Sequence, residues 1–252
     1  MPRELRISEI STRAPKGLEK EDVEKEYDEM TSEIADLQYK IKAEEKHSLL
    51  VIFQGMDASG KDGATHKVFR KCGVSGVQSF SFKKPTDKEF AHDFLWRVHK
   101  LTPGKGEIVI FNRSHYEDIL IQRVHEWIDE DRVNARINAI NAFEELLEKD
   151  NNTTILKFYM HISEERQKEK LQERIDVPRK NWKHKDADWE ERKLWDKYMR
   201  CYQDAIDRCN KVPWIIAPCD QRWYRNYFVA KKVLTTLRTL NPQLPALETK
   251  NG

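Results

Sequence analysis

The 252-residue sequence predicts one α/β domain, a three-layer α/β/α sandwich around a mainly parallel sheet. Short apolar runs, typical of strands covered on both faces, alternate along the chain with longer amphipathic stretches. Strands that alternate with helices are joined by right-handed βαβ crossovers, which make the strands parallel. A single core can still grow at this length, so we expect one domain over residues 47–240.

The overall composition limits the partners and the compartment. Charged residues make up 35% of the chain but the net charge is only +2, so a polyanion must be bound by a local basic patch. The four cysteines show neither a C-x-x-C pair nor zinc-ligand spacing, which favours reduced thiols in a cytoplasmic protein. The N-terminus lacks a signal-peptide core, and no apolar run approaches the ~18 residues of a membrane span. We therefore expect a cytoplasmic protein without a membrane partner.

An arm and a helix precede the predicted domain. Residues 1–17 are polar and include two prolines, so we expect an extended arm. Residues 18–46 carry apolar side chains at gaps of three and four, which predicts one face of an amphipathic helix; they are Val23, Tyr27, Met30, Ile34, Leu37 and Ile41. The helix packs either on its own domain or on a second subunit. Residues 241–252 are interpreted as a tail.

The elements of the domain follow from the change of hydrophobic period. Strands are predicted at 49–53, 77–82, 108–111, 155–159 and 214–217. Helices are predicted at about 63–72, 87–101, 131–149, 163–175, 188–209 and 221–239. Thr86 and Glu89 have the spacing of a capping box before the second of these helices.

The most specific motif runs from Gly55 to Lys61, directly after the first predicted strand and at the start of a helix. Its spacing, G-x-x-x-x-G-K, is that of a Walker A phosphate loop (P-loop). Glycines allow successive backbone amides to face phosphate oxygens, and the helix N-terminus and the lysine add positive charge. The sequence therefore predicts a phosphate site here.

Two acidic residues distinguish this P-loop from that of an ordinary ATPase. Asp62 stands where Ser or Thr usually contributes a hydroxyl to magnesium, and Asp57 lies inside the loop. A carboxylate beside phosphates is repulsive unless a metal ion or an attacking group needs it, so Asp57 is a candidate magnesium ligand or orienter of the acceptor. The alternatives are a solvent-facing turn residue for Asp57 and a favourable first-turn helix charge for Asp62.

A polar cluster follows the third predicted strand. Ligands of parallel sheets gather at the carboxyl ends of the strands, so residues 112–118 should lie beside the P-loop. Asn112 occupies the position where a Walker B acid is usual, and Glu117 and Asp118 come later. Arg113 offers a fork of donors to a phosphoryl group. A structural salt bridge for Arg113 and a plain surface role for Glu117 are the competing interpretations.

A basic segment lies between Arg166 and Lys185, with eight Lys or Arg against three Asp or Glu. It begins on a predicted helix and continues past Pro178 into a loop that contains Trp182. Such segments close over phosphates in kinases and exclude water; a solvated surface is the simpler alternative. Because the P-loop is present, we expect a basic helical lid over about residues 166–190.

Taken together, these motifs resemble the polyphosphate kinase 2 family over about residues 45–240. The matching segments are GMDASGKDG, KKPT at Lys83–Thr86, FNRSHYED at Phe111–Asp118, RIDVPRKNWK, and WDKY at Trp195–Tyr198. The resemblance implies a P-loop kinase fold like that of thymidylate kinase. It also implies magnesium-dependent transfer of the terminal phosphate of inorganic polyphosphate to a nucleotide. The NRSHYE variant resembles the class that phosphorylates both AMP and ADP.

The resemblance also implies roles for individual residues. The catalytic set is Asp57, Lys61, Arg113, Glu117 and Arg174, with Asp57 and Glu117 as the ligands of Mg²⁺ or Mn²⁺. The resemblance assigns phosphate binding to Gly55, Gly60, Lys61, Gly63 and Lys67. The expected phosphate-binding set also includes other basic or loop residues of these motifs: Ala58, Asp62, Lys84, Arg179, Lys180 and Lys183. Many family members have aspartate at the position of Asn112 and asparagine at that of Glu117, so the residue that completes the metal shell stays open.

Two other functions compete with this interpretation. An ATP-dependent nucleotide kinase like thymidylate kinase would be expected to have Ser or Thr at position 62. A non-enzymatic sensor of phosphate or nucleotide does not explain the acids and arginines at two strand ends. The expected partners are polyphosphate with AMP, ADP and ATP or guanine nucleotides, and a second copy of the chain in a homo-oligomer. Nucleic acid is not expected, since no recognised motif for it accompanies the basic segment.

Overall fold

A computed structural model describes residues 5–247. The strands in this range are β1 Ser48–Gln54, β2 Val77–Ser81, β3 Ile108–Asn112, β4 Thr153–His161 and β5 Trp214–Pro218. They form one sheet in the order β2-β3-β1-β4-β5, and every neighbouring pair is parallel. The predicted α/β fold with a parallel sheet is confirmed. The first four residues of the predicted arm and the last five of the predicted tail lie outside the described residues.

Helices connect these strands. They are α1 Lys20–Glu44, α2 Lys61–Val68, α3 Asp87–Phe90, α4 Trp96–His99, α5 Ile121–Val124, α6 Glu130–Asn151, α7 Glu164–Asp176, α8 Asp186–Arg192, α9 Trp195–Arg208 and α10 Arg222–Leu240. Short 3₁₀ turns occupy Ile7–Glu9, His115–Asp118 and Pro178–Lys183. The predicted capping box is present: Thr86 accepts a hydrogen bond from the amide of Glu89, and the Glu89 carboxylate accepts from the amide of Thr86.

The strand order places helices on both faces of the sheet. The crossover from β1 to β2 runs in the opposite direction to those from β3 to β4 and from β4 to β5, so right-handed connections place α2 on one face and α6 and α9 on the other. On the second face, Lys157 of β4 donates to Glu144 of α6, and Tyr159 packs against Tyr202 of α9. The three-layer architecture follows. It puts the carboxyl ends of β1 and β3 at one edge of the sheet.

Helix α1 packs on its own chain. Its partner is α10, to which it is tied by Arg238–Glu33 and by a hydrogen bond from Tyr227 to Glu26 of 2.7 Å. Of the two alternatives for the apolar face of α1, the structure therefore shows intrachain packing. The predicted homo-oligomer gains no support from this helix. Nowhere in residues 5–247 is a helix both long and apolar enough to cross a bilayer.

Three predicted elements differ in detail from the structure. The sequence predicts an apolar strand at 77–82, covered on both faces, but β2 is an edge strand with half-buried and exposed side chains, because only β3 pairs with it. The helix predicted at 87–101 is two short helices; in the break between them the side chain of Asp93 accepts from the amide of Leu95 and competes with helical bonding. The helix predicted at 188–209 is divided into α8 and α9. Between them the backbone amides of Lys193 and Leu194 donate to carbonyls three residues earlier, instead of four as in an α-helix.

Candidate active site

The P-loop joins the fully buried strand β1 to helix α2. Gly55 has a φ of +152° and lies so near β4 that an added Cβ would be 2.9 Å from the carbonyl oxygen of Met160. Gly60 has a φ of +97°, and an added Cβ there would lie 1.8 Å from Nη1 of Arg225. Both positions require glycine, for backbone conformation and for space. The loop is therefore packed tightly from two sides.

Lys61 bends back over the loop from the first turn of α2. Its Nζ donates to the carbonyl oxygens of Gly55 at 2.7 Å and of Met56 at 3.0 Å. Burial and the nearby charge of Arg113 hold the pKa of Lys61 below its ordinary value, although Asp57 opposes them. The ammonium group is thus held at the mouth of the loop by bonds that a phosphate oxygen can replace.

The turn after β3 brings a second group of polar side chains to the P-loop. Arg113 has a φ of +63° and its amide donates to the carbonyl of Phe53 at 3.0 Å, which fixes the turn against β1. Its guanidinium donates to the carboxylate of Asp57. Burial raises the pKa of Asp57, but the charges of Arg113 and Lys61 lower it to below its ordinary value. Asp57 is therefore ionised at neutral pH.

Glu117 lies behind this pair, on the 3₁₀ turn. Its carboxylate accepts from Nε2 of Gln54, at the end of β1. Burial raises the pKa of Glu117, and the charges of Arg113 and Lys61 offset part of that increase. Glu117, Gly55, Asp57 and Arg113 border a small cavity of about 40 Å³ beside the P-loop.

A larger cavity of about 640 Å³, here called the phosphate cavity, opens over the P-loop. Among the described residues, eleven cationic side chains line it against three carboxylates, Asp57, Asp62 and Glu173. The cations are Lys61, Lys67, Lys83, Arg113, Lys170, Arg174, Lys180, Lys183, Lys185, Arg222 and Arg225. In a protein of net charge +2, this concentration of positive charge makes the cavity a site for a polyanion.

The segment predicted to be a lid contributes residues of α7 and of the 3₁₀ turn at Pro178–Lys183 to the wall of the phosphate cavity, and α8 packs on α7. Arg174 of α7 donates to the carboxylate of Asp188 on α8, which joins the two helices. Glu173 accepts from Lys180 at 2.6 Å and from Arg222 at 3.0 Å. These ion pairs hold lid cations at the cavity wall, where phosphate oxygens can compete with the carboxylates.

The structure brings most of the predicted residues together. Those that line the phosphate cavity are Asp57, Ala58, Gly60, Lys61, Asp62, Gly63, Lys67, Arg113, Arg174, Lys180 and Lys183. Gly55 and Glu117 border the small cavity instead. Lys84 lines a separate cavity, and Arg179 is exposed and is not among the lining residues of these cavities.

Two arginines of the site were missed from the sequence. Arg222 and Arg225 occupy the first turn of α10, directly beyond the carboxyl end of β5, and both line the phosphate cavity. Arg225 is only 4% exposed, and within residues 5–247 it forms no ion pair; its guanidinium donates to Asn226. Burial lowers the pKa of Arg225. Basic residues at the end of a strand are the signal that could have identified them.

Three aromatic side chains near the site pack against the core. Phe82 is buried and lies edge-on to Phe111, and Trp223 and Tyr224 are partly buried against the core. The residue types alone allow either base stacking or a place in the core, and the packing of these three supports the core.

The acids at the site suit a cation shared with phosphate. No group of three or more His, Cys, Asp or Glu side chains within residues 5–247 forms a metal cage. Magnesium in phosphate sites is usually held by only one or two carboxylates together with substrate phosphates and water. The residues present therefore fit such an ion, with candidate ligands at Asp57, Asp62 and Glu117.

Comparison with known proteins agrees with the phosphate-binding site that the geometry indicates. The family model described as Polyphosphate kinase 2 (PPK2) matches residues 17–245. The chain is 46% identical to an AMP/ADP-polyphosphate phosphotransferase of Meiothermus ruber, over 84% of this chain and 80% of that protein. It is 37% identical to an ADP-polyphosphate phosphotransferase of Rhodopseudomonas palustris, over 84% and 78%.

A solved structure shares the whole fold. The crystal structure of polyphosphate kinase 2 from Arthrobacter aurescens TC1 superposes with a TM-score of 0.95 at 35% identity, covering 99% of this chain and 91% of that one. The chain, with its P-loop and basic cavity, belongs to the polyphosphate kinase 2 family.

Proposed function

We propose that this chain transfers the terminal phosphate of inorganic polyphosphate to AMP and to ADP. The observation that carries the proposal is the phosphate cavity, in which eleven cations border the P-loop. Such a basic track suits a donor that carries many negative charges. The names of the relatives from M. ruber and R. palustris support polyphosphate as the donor and AMP and ADP as acceptors. In the reverse direction ATP is a donor to polyphosphate.

A second cavity suits the acceptor nucleoside. It measures about 780 Å³ and adjoins the phosphate cavity, since Lys83 lines one and Lys84 the other. Aromatic side chains line it, with a buried ion pair of Arg97 and Asp118 at 3.4 Å. Aromatic surfaces beside fixed polar groups are typical of sites for small planar ligands. We place the base here and propose adenine nucleotides first, with guanine nucleotides as further acceptors to assay.

The transfer depends more on the positions of the two phosphates than on a general base. An oxygen of the acceptor's terminal phosphate attacks the terminal phosphorus of the chain, and the bond to the next phosphate breaks. The acceptor phosphate has a second pKa of about 6, so it is largely ionised at neutral pH. Lys61, Arg113 and Arg174 reduce the repulsion between the two anions and hold them in line. We assign Asp57 to orienting Arg113 and the acceptor.

A divalent cation completes this scheme. We propose Mg²⁺ or Mn²⁺, bound beside the P-loop; the sequence predicted Asp57 and Glu117 as its ligands, and Asp62 is a third candidate in the same place. The ion would neutralise charge on the transferring phosphates. The lid helices carry Arg174 and keep bulk water from the reacting phosphates.

One assay tests the proposal. The purified protein is incubated with Mg²⁺, long-chain polyphosphate and either AMP or ADP, without ATP, and the nucleotides are separated by chromatography. ADP and ATP should form, and Lys61→Ala should prevent it. Absence of product from both acceptors would overturn the proposal.

We also propose a cytoplasmic location for this enzyme. All four cysteines are free, and three of them are buried, as expected in a reducing compartment.

A further inference from the structure

Two positions that hold magnesium in P-loop enzymes have exchanged their chemistry in this chain. In P-loop NTPases the ion is held by the Ser or Thr after the loop lysine and by an Asp at the end of the neighbouring strand. Here the first position is Asp62 and the second is Asn112. The pair still carries one negative charge, but the carboxylate has moved from the strand to the helix.

The two side chains are in contact. Nδ2 of Asn112 donates to Oδ1 of Asp62, across the boundary between β3 and α2. Asn112 is 8% exposed and is fixed in the sheet, whereas Asp62 is exposed to the phosphate cavity, which both side chains line. Within residues 5–247 no hydrogen bond engages the second carboxylate oxygen of Asp62. The amide therefore orients a carboxylate that keeps one oxygen available.

The other acids of the cavity are already paired. Asp57 accepts from Arg113, and Glu173 accepts from Lys180 and Arg222. Glu117 lies in the small cavity, where Gln54 donates to it. Of the three carboxylates that line the described part of the phosphate cavity, Asp62 alone has no cationic partner. A favourable charge in the first turn of α2 would explain an acid at this position, but it would not explain the bond from Asn112.

We propose that Asp62 is the carboxylate that binds the divalent cation of the polyphosphate complex, and that Asn112 is its positioning residue. The inference rests on the proposed function, since it concerns the same cavity. Carboxylate oxygen is the ligand that Mg²⁺ and Mn²⁺ prefer. The exchange leaves the summed charge of these two positions as in other P-loop enzymes.

The test measures metal dependence of phosphate binding, apart from catalysis. Inorganic tripolyphosphate is titrated into the protein by calorimetry without a nucleotide, once in EDTA and once in saturating Mg²⁺, and the ratio of the two affinities is taken. In Asp62→Asn the affinity in EDTA should be equal or higher, because one repelling charge is removed. The ratio of Mg²⁺ to EDTA affinity should fall by ~10-fold or more, since loss even of an outer-shell partner of a metal ligand lowers metal affinity by about 10-fold or more. A metal ligand therefore predicts an equal or higher affinity in EDTA together with a lower Mg²⁺-to-EDTA ratio, whereas an acid with only a structural role does not predict this combination.

Three further variants sharpen the result. The exchange Asp62→Asn with Asn112→Asp returns the carboxylate to the strand, and it should restore the ratio to within about threefold of wild type, on the precedent of ordinary P-loops. Asp150→Asn removes an exposed acid of α6 and should leave the ratio unchanged. Glu117→Gln tests the rival ligand, and it should lower the ratio less than Asp62→Asn does.

The outcomes are distinguishable. An unchanged ratio in Asp62→Asn, or a larger decrease in Glu117→Gln, would overturn the inference and leave the proposed function standing. Wild-type protein that binds no tripolyphosphate in either buffer would instead contradict the proposed function, and the inference with it.

Discussion

Replacing Lys157 with Met should destabilise the protein strongly. Lys157 and Glu144 are both fully buried, and the ammonium group donates to Glu144 at 2.7 Å, to the hydroxyl of Tyr116 at 2.8 Å and to the carbonyl of Cys209 at 2.8 Å. Burial alone raises the pKa of Glu144, but contacts with His115 and Lys157 lower it below its ordinary value, so the carboxylate is charged. The substitution would leave that charge in the core without its cation.

The magnitude follows from this geometry. Removing one partner of a buried ion pair costs about 3–5 kcal/mol of unfolding free energy. For a domain of this size, 1 kcal/mol corresponds to roughly 2–4 °C, so the Tm should fall by on the order of 10 °C. The double variant Lys157→Met with Glu144→Leu should be more stable than Lys157→Met alone, because it no longer buries an unpaired carboxylate.

Chemical denaturation followed by circular dichroism measures these differences. Lys193→Met is the matched control, because the Lys193–Glu190 pair is 69% and 68% exposed and should contribute under about 1 kcal/mol. The reasoning fails if Lys157→Met costs less than about 1 kcal/mol, or if the double variant is the least stable of the three.

Three further predictions concern the site. Lys61→Ala and Asp57→Asn should each lower the rate of ADP and ATP formation by ~10²-fold or more, the scale for one preorganised electrostatic contact; near-normal turnover of either folded variant would contradict its role. Arg225→Met should raise KM for polyphosphate by roughly tenfold, the effect of ~1.4 kcal/mol, and KM for AMP much less; an equal change in both would show a general structural effect. Burial and the charge of Arg225 lower the pKa of Lys170 to about 8, so Lys170 is charged below that pH and neutral above it. As pH rises through about 8, kcat/KM for polyphosphate should therefore fall, and Lys170→Met should flatten the profile; an unaltered profile in this variant would refute the assignment.

The sequence alone predicted the strands, the P-loop and the third strand's polar turn, because these features are local. A buried strand needs a continuous apolar run, and a phosphate loop needs glycines and a lysine at fixed spacing. The parallel direction of the strands then follows from their alternation with helices, so their carboxyl ends lie at one edge. Thus Lys61 and Arg113 could be assigned to one site before any coordinates were known.

Contacts between distant parts of the chain were decided only by the tertiary structure. Arg225 lies more than 160 positions from Gly60, yet its guanidinium fills the space that a side chain at Gly60 would need. The bond between Asn112 and Asp62 likewise joins two elements whose relative placement depends on the packing of the whole sheet. Spacing along a chain carries no information on such pairs, because it is burial of the common core that brings α10, α2 and β3 to one edge.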